Sequence, residues 1–294
     1  MEDALVRFAP ETNRCYYSSP MTLASRTRLV TMSRLGRLSL SAMAAVVILA
    51  AALPRTACAT PSTTFWAPST PFVQPLGVLH VTYDTYFGSK AAYPIDLGLT
   101  MGVLPGKGLQ SEIGFDLLYP SAAGSDAIDL PLVLNAKVGA REDTYFKGQP
   151  GWSAGIFGAG LKKGFNDQNV LGAMIGKTLP RFGAASIGGY YALNKDLFRS
   201  ASGKTERSGL MAGWLSPPID VPRIDKIVLA WDLQTGRNAL GATGGGAYLY
   251  FTPAIDLLIG PVFFFEDELQ PGGSKSLWTA QLDVDLDLLA GSKK

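Results

Sequence analysis

The chain has 294 residues, 47% hydrophobic and only 17% charged, with 33 glycines, 19 prolines, two cysteines and one histidine. That inventory cannot build a zinc cluster of Cys and His. The formal net charge of +2 is small and gives no footprint for nucleic acid.

From Met32 the sequence runs MSRLGRLSLSAMAAVVILAAALPRTACAT. Arg34 and Arg37 precede an apolar run over 42–53, followed by the small-x-small triplet Ala57, Cys58, Ala59. Charge, then apolar core, then cleavage site is the order of a signal peptide. Residues 1–59 are therefore expected to be a leader, with 32–59 the signal peptide, Ala57 and Ala59 marking cleavage, and 1–31 an over-called start. A membrane anchor is the competing reading, but an apolar run of about a dozen residues falls short of the roughly 20 that a spanning helix needs. A lipoprotein reading of Cys58 meets Arg55 where an apolar residue belongs. Removing 1–59 takes seven arginines from 26 basic residues and three acids from 24, leaving 19 and 21 and a net charge of about −2. Both cysteines leave too, so the mature chain needs no disulfide.

A Pro/Ser/Thr-rich segment over 60–75 follows, expected to lie in the periplasm or, over 61–75, to fold into a barrel and plug it. Period two then dominates. Leu79, Val81 and Tyr83 alternate with His80, Thr82 and Asp84; Ile95, Leu97 and Leu99 with Asp96, Gly98 and Thr100; Ile113, Phe115 and Leu117 with Glu112, Gly114 and Asp116. In the last such segment Trp278, Ala280, Leu282, Val284 and Leu286 alternate with Thr279, Gln281, Asp283, Asp285 and Asp287. The spacing predicts strands over 77–87, 94–104, 108–118, 130–139, 151–161, 168–179, 184–194, 207–216, 226–235, 239–251, 254–266 and 276–288. In 168–179 and 239–251 glycine leaves the faces unassigned.

About 12 strands of about ten residues suit an all-β, antiparallel, up-and-down transmembrane barrel. One such domain is expected over 76–288, with a tail over 289–294. Tight connections at 104–107, 180–183 and 252–253 alternate with long polar ones at 119–129, 195–206 and 267–275, as in outer-membrane barrels with both termini in the periplasm. The long connections at 140–150 and 217–225 break that rule. A soluble β-sandwich or lipocalin-like barrel also alternates apolar with polar residues. Against it stand an acidic polar face and aromatic residues near strand ends, read as an interfacial girdle: Tyr83, Tyr86, Phe87, Tyr119, Trp152, Tyr190, Tyr191, Trp214, Tyr248, Tyr250 and Phe251.

TPSTTFWAPSTPFVQPLGVLHVTYDTYF, the KTLPRFGAASIGGYY segment and the strands after it resemble uncharacterised outer-membrane β-barrel-type proteins of Gram-negative bacteria, over most of the mature chain. The resemblance implies a membrane barrel, an outer-membrane lipid environment and insertion by the barrel-assembly machinery, and brings no catalytic motif. Such barrels commonly end on an aromatic residue, whereas this chain runs on through 288–294.

Chemistry has few candidates. On one strand His80 and Asp84 share a face but lie about 13 Å apart at roughly 3.3 Å per residue, too far for a hydrogen bond. A cross-strand partner stays open, and a membrane-embedded hydrolase would need a serine beside His80. Asp283, Asp285 and Asp287, or the loop acids Glu266, Asp267 and Glu268, could bind calcium; a solvated wall or loop tip is the simpler account. Gly244, Gly245 and Gly246 lack the Lys-Ser/Thr of a phosphate loop and read as a close backbone approach. No cofactor is expected. The lumen is expected to be lined by His80, Asp84, Asp96, Glu112, Asp116, Lys137, Asp232, Asp283 and Asp285. Such a lining favours cations or small neutral solutes in a passive channel; a structural or binding barrel acting through its loops is the alternative. Mass spectrometry of the chain recovered from outer membranes is expected to find an N-terminus just after Ala59. Retention of residues 32–59 would overturn the cleavage reading.

Overall fold

A strand with one apolar and one polar face is stable only when neighbours pair its backbone. The computed structural model describes residues 64–88, 95–106, 108–119, 132–163 and 166–289, and twelve strands there meet that demand in a closed antiparallel barrel. They are β1 (Val78–Phe87), β2 (Ile95–Gly102), β3 (Gln110–Tyr119), β4 (Leu132–Ala140), β5 (Gly151–Ala159), β6 (Val170–Leu179), β7 (Gly183–Ala192), β8 (Ser208–Leu215), β9 (Lys226–Gln234), β10 (Ala242–Thr252), β11 (Ile255–Phe264) and β12 (Ser276–Asp287). Each expected segment holds one strand, with ends shifted by at most three residues. The leader, its Ala57 and Ala59, the 119–129 connection beyond Tyr119, the Tyr119 side chain and the tail beyond 289 lie outside the described residues.

Every strand pairs with its sequence neighbours, and β12 returns to β1 in a register running from Val78↔Asp287 to Phe87↔Trp278. Closure leaves no edge. It also decides faces, because a one-residue slip would turn every side chain over. Inward fall the pairs His80↔Asp285 and Thr82↔Asp283, outward Leu79↔Leu286 and Val81↔Val284. The two segments blurred by glycine resolve in the same way. β6 turns Val170 and Met174 inward and Leu171 and Ile175 outward; β10 turns Ala242, Gly244, Tyr248 and Tyr250 inward. Four of the aromatics read as a girdle consequently face inside: Tyr190, Tyr248 and Tyr250 are buried, and the Tyr86 hydroxyl bonds to the Phe65 carbonyl. Pairing geometry decides this, and residue type cannot.

The connections at 103–109, 141–150, 180–182, 216–225 and 253–254 share one end of the barrel, here the turn end. Its two long members are folded back on themselves. Gly148 N–H donates to Asp143 Oδ1 at 2.6 Å, Tyr145 N–H to Gln149 Oε1 at 2.8 Å, and Ile219 pairs with Ile227. Asp143 adopts a positive φ of 57°, which a short polar side chain tolerates. The Gly148 N–H and the Lys177 ammonium together hold its carboxyl below the usual carboxylate range.

At the opposite, loop end a single carboxylate ties three connections. Glu266 accepts from Arg237 Nε at 2.6 Å and from the Ala201 N–H at 3.2 Å. The Arg237 bond, then the Ala201 N–H, lowers its pKa below the ordinary glutamate value. A carboxylate so depressed adds stability above its unfolded value, about 4.3, and loses it as pH falls through the folded value. Amide protection over 195–206, measured against the intrinsic exchange rate at each pH, is thus expected to be high at pH 7 and to fall once the pH drops below the unfolded value. Glu266→Gln should show the lower protection already at pH 7; unchanged protection in that variant would remove the tie.

Candidate functional site

All nine candidate interior residues occupy inward positions, but they divide between two different structures. The first is a wall of acids crossing β11, β12, β1, β2 and β3. His80, 5% exposed, has Nδ1 2.7 Å from Asp285 Oδ1 and Nε2 3.5 Å from Asp283 Oδ1. Its partner is therefore cross-strand, as β1–β12 pairing requires, and both ring nitrogens face carboxylates, with no hydroxyl bonded to either among the described residues. Asp84 accepts from Thr82 Oγ1 at 2.7 Å, and Asp116 from Asn135 Nδ2. Asp96 is half-buried beside Asp84, with Oδ1 lacking a hydrogen-bond partner. Glu112 pairs with Lys137 at 3.1 Å and also accepts the Gln74 N–H at 2.6 Å.

Asp256 joins this wall, 2% exposed and opposite Asp283. Sequence reasoning missed it because its face along β11 continues through Leu258, Gly260, Val262 and Phe264, an apolar context that hides one inward acid. Only its register against the Asp283–Asp285 face reveals it. The acids here do not form a metal-binding group of three or more among the described residues.

The second structure is a plug. Residues 64–75 run inside the barrel, and Asp232, fully buried on β9, is their anchor. Its Oδ2 accepts from Thr64 Oγ1 at 2.6 Å, Trp66 N–H at 2.7 Å and Ala67 N–H at 2.9 Å, while Oδ1 accepts from Gly244 N–H at 2.9 Å. A buried charge is tolerable when backbone donors surround it in this way. Phe65 is fully buried in an apolar cluster with Tyr248, Leu258, Val262 and Phe264. Trp66 packs edge-on against Tyr86 and Phe264, with centroids 5.4 and 4.9 Å away. It also donates its indole N–H to the Leu240 carbonyl at the loop end.

Glycines make room for the segment. A Cβ on Gly260 would lie 2.7 Å from Phe65 Cε1, and one on Gly244 would strike Phe65 Cβ. Farther along, Ser186 Oγ donates to the Ser69 carbonyl, and Pro75 at the turn end occupies the space a Cβ on Gly102 would need. The interior is thus half acidic wall and half packed plug, with a second apolar cluster around Val170, Met174, Tyr190 and Met211. From the sequence an acidic polar lumen is expected, and 61–75 takes either a periplasmic place or a place inside the barrel as a plug. Asp232 meets the plug and not an open lumen: its alternation shows only that it faces in, while its plug partners lie 165 to 168 residues away in sequence.

No protein-family model matches this chain, and no curated protein matches it. Among solved structures, one described as "NanC porin structure in rhombohedral crystal form" aligns with a TM-score of 0.45 and 12% identity, covering 71% of this chain and 98% of that one. A chain from "Unveiling the Mechanism Behind the in-meso Crystallization of Membrane Proteins" aligns at 0.41 and 11%, covering 71% and 84%. One from "De novo design of transmembrane beta-barrels" aligns at 0.23 and 9%, covering 73% and 100%. None reaches 0.5, so the architecture rests on this chain's own strands.

Replacing Asp232 with Ala leaves several buried donors without an acceptor, each costing about 1–3 kcal/mol. In a Ser69→Cys reporter built on residues 60–294, which hold no other cysteine, the thiol is expected to resist a polar maleimide. Adding Asp232→Ala should make it react. Equal labelling with and without Asp232 would show that this carboxylate does not hold the plug.

Proposed function

We propose that the mature chain is an outer-membrane barrel of a Gram-negative bacterium, acting as a passive channel for cations or small neutral polar solutes past a resident plug. The observation that carries this reading is the opposition of faces. Outward positions hold exposed Leu97, Ile113, Ile175, Ile187, Leu229, Phe263 and Trp278 around the barrel, a larger apolar surface than soluble proteins leave in water. Outer-membrane lipid covers such a belt naturally, and only a closed barrel or a helix satisfies its backbone there. Inward, β1–β4 keep Thr82, Asp96, Asp116 and Asn135 only partly buried, so polar space remains beside the plug. A low-dielectric wall carrying these acids concentrates cations. Twelve strands enclose less than the 16–18 of open porins, consistent with a narrow passage. Export with removal of the leader and insertion by the barrel-assembly machinery belong to the same reading.

The filled half of the interior favours a second reading, a binding barrel that acts through its loops. Planar-bilayer recordings separate the two. The mature chain is expected to give a small, cation-preferring conductance. Asp96→Asn with Asp116→Asn should shift the reversal potential toward zero, and Asp232→Ala should raise conductance. Silence of both the mature chain and the Asp232→Ala variant over a range of salts would sink the channel and leave the binding barrel.

A further inference from the structure

We propose that the turn end of the barrel holds a binding site for a small monocarboxylate with a compact apolar body, gripped by Arg141. Between the plug and the ends of β3–β8 lies a cavity of about 520 Å³, within the range of small-molecule sites, about 300–1,000 Å³. Pro71 and Val73 of the plug form one side, and Ala140, Ala184 and Leu215 the other. This apolar lining suits a hydrocarbon or aromatic body.

The charges at its rim select the head group. Three charged residues line the cavity: Arg141, Glu142 and Lys177. Lys177 is committed, with Nζ 3.0 Å from Glu142 Oε2 and 3.1 Å from Asp143 Oδ1. Glu142 is committed as well, accepting from Lys177 and from the N–H and hydroxyl of Thr178. Arg141 differs. Its Nε donates to Gln110 Oε1 at 3.1 Å, and among the described residues no carboxylate lies within ion-pair distance of it. Gln110 is inward-facing and 4% exposed, so this bond draws the guanidinium to the inner side of the rim. The terminal amino groups remain for a ligand, and their planar fork matches a carboxylate with two parallel hydrogen bonds. A cation would lie against the guanidinium instead of pairing with it, and a neutral alcohol forfeits the paired bonds.

The site needs only the barrel and its plug, and stands whether or not the barrel conducts. The test uses the mature chain in lipid nanodiscs, with 4-phenylbutyrate as probe and empty nanodiscs to subtract partitioning into lipid. Saturable binding by equilibrium dialysis is expected. Arg141→Gln should weaken it at least tenfold, and Arg141→Lys less, since charge remains but the fork is lost. Ala184→Phe, which fills the cavity from the opposite wall and leaves Arg141 in place, should abolish it. On the unaltered protein 4-phenylbutylamine should not bind, and 4-phenylbutanol should bind at least tenfold more weakly. Binding no greater than to empty nanodiscs, equal affinity in Arg141→Gln, or equal affinity for the alcohol would each overturn the proposal. The analogue comparison decides the matter even if the variants fail to fold.

Discussion

Pairing of β12 with β1 is the constraint on which the rest of the molecule depends. Until that ladder forms, each strand has two chemically distinct faces but no inside. Once Val78 is placed opposite Asp287 and Phe87 opposite Trp278, the parity of every position around the sheet is settled. His80 meets Asp285 because of that register. Leu79 and Leu286 share the outer surface for the same reason.

Closure creates a second problem, since a twelve-stranded barrel is too wide to be filled by its own short side chains and carries many inward glycines. The chain answers with its own N-terminal segment. Phe65 occupies the space that Gly244 and Gly260 leave, and Asp232 offers acceptors to plug donors that would otherwise be buried unsatisfied. Small residues on the wall and a carboxylate among them form one arrangement. Enlarging the glycines or neutralising the acid attacks the same contact from two sides.

The plug also distributes charge. On its β9–β10 side the plug is packed against the wall, and Asp232 is saturated by hydrogen bonds. On the β1–β4 side, Asp96, Asp116 and Thr82 keep some accessibility, and the polar passage of the proposed channel lies there. At the turn end the plug stands off the wall and leaves the cavity beside Arg141. Passage and cavity are two consequences of a narrow segment inside a wider cylinder.

Alternation along the chain by itself determined the twelve strands, their antiparallel order and the inward side of β1–β3 and β12, because period two is a local property of adjacent residues. It suggested the use of 61–75 as a plug from composition alone. Tertiary structure alone decided the remainder. Glycine carries no side chain to mark a face, so β6 and β10 waited on their neighbours. Tyr190, Tyr248 and Tyr250 are as suited to a membrane interface as to a packed interior, and only pairing parity turned them inward. Asp256 lay hidden in an apolar strand until Asp283 was set opposite it. Whether an inward acid faces water, as Asp96 partly does, or a folded-in backbone, as Asp232 does, depends on contacts between segments far apart in sequence. Periodicity in one segment does not encode those contacts.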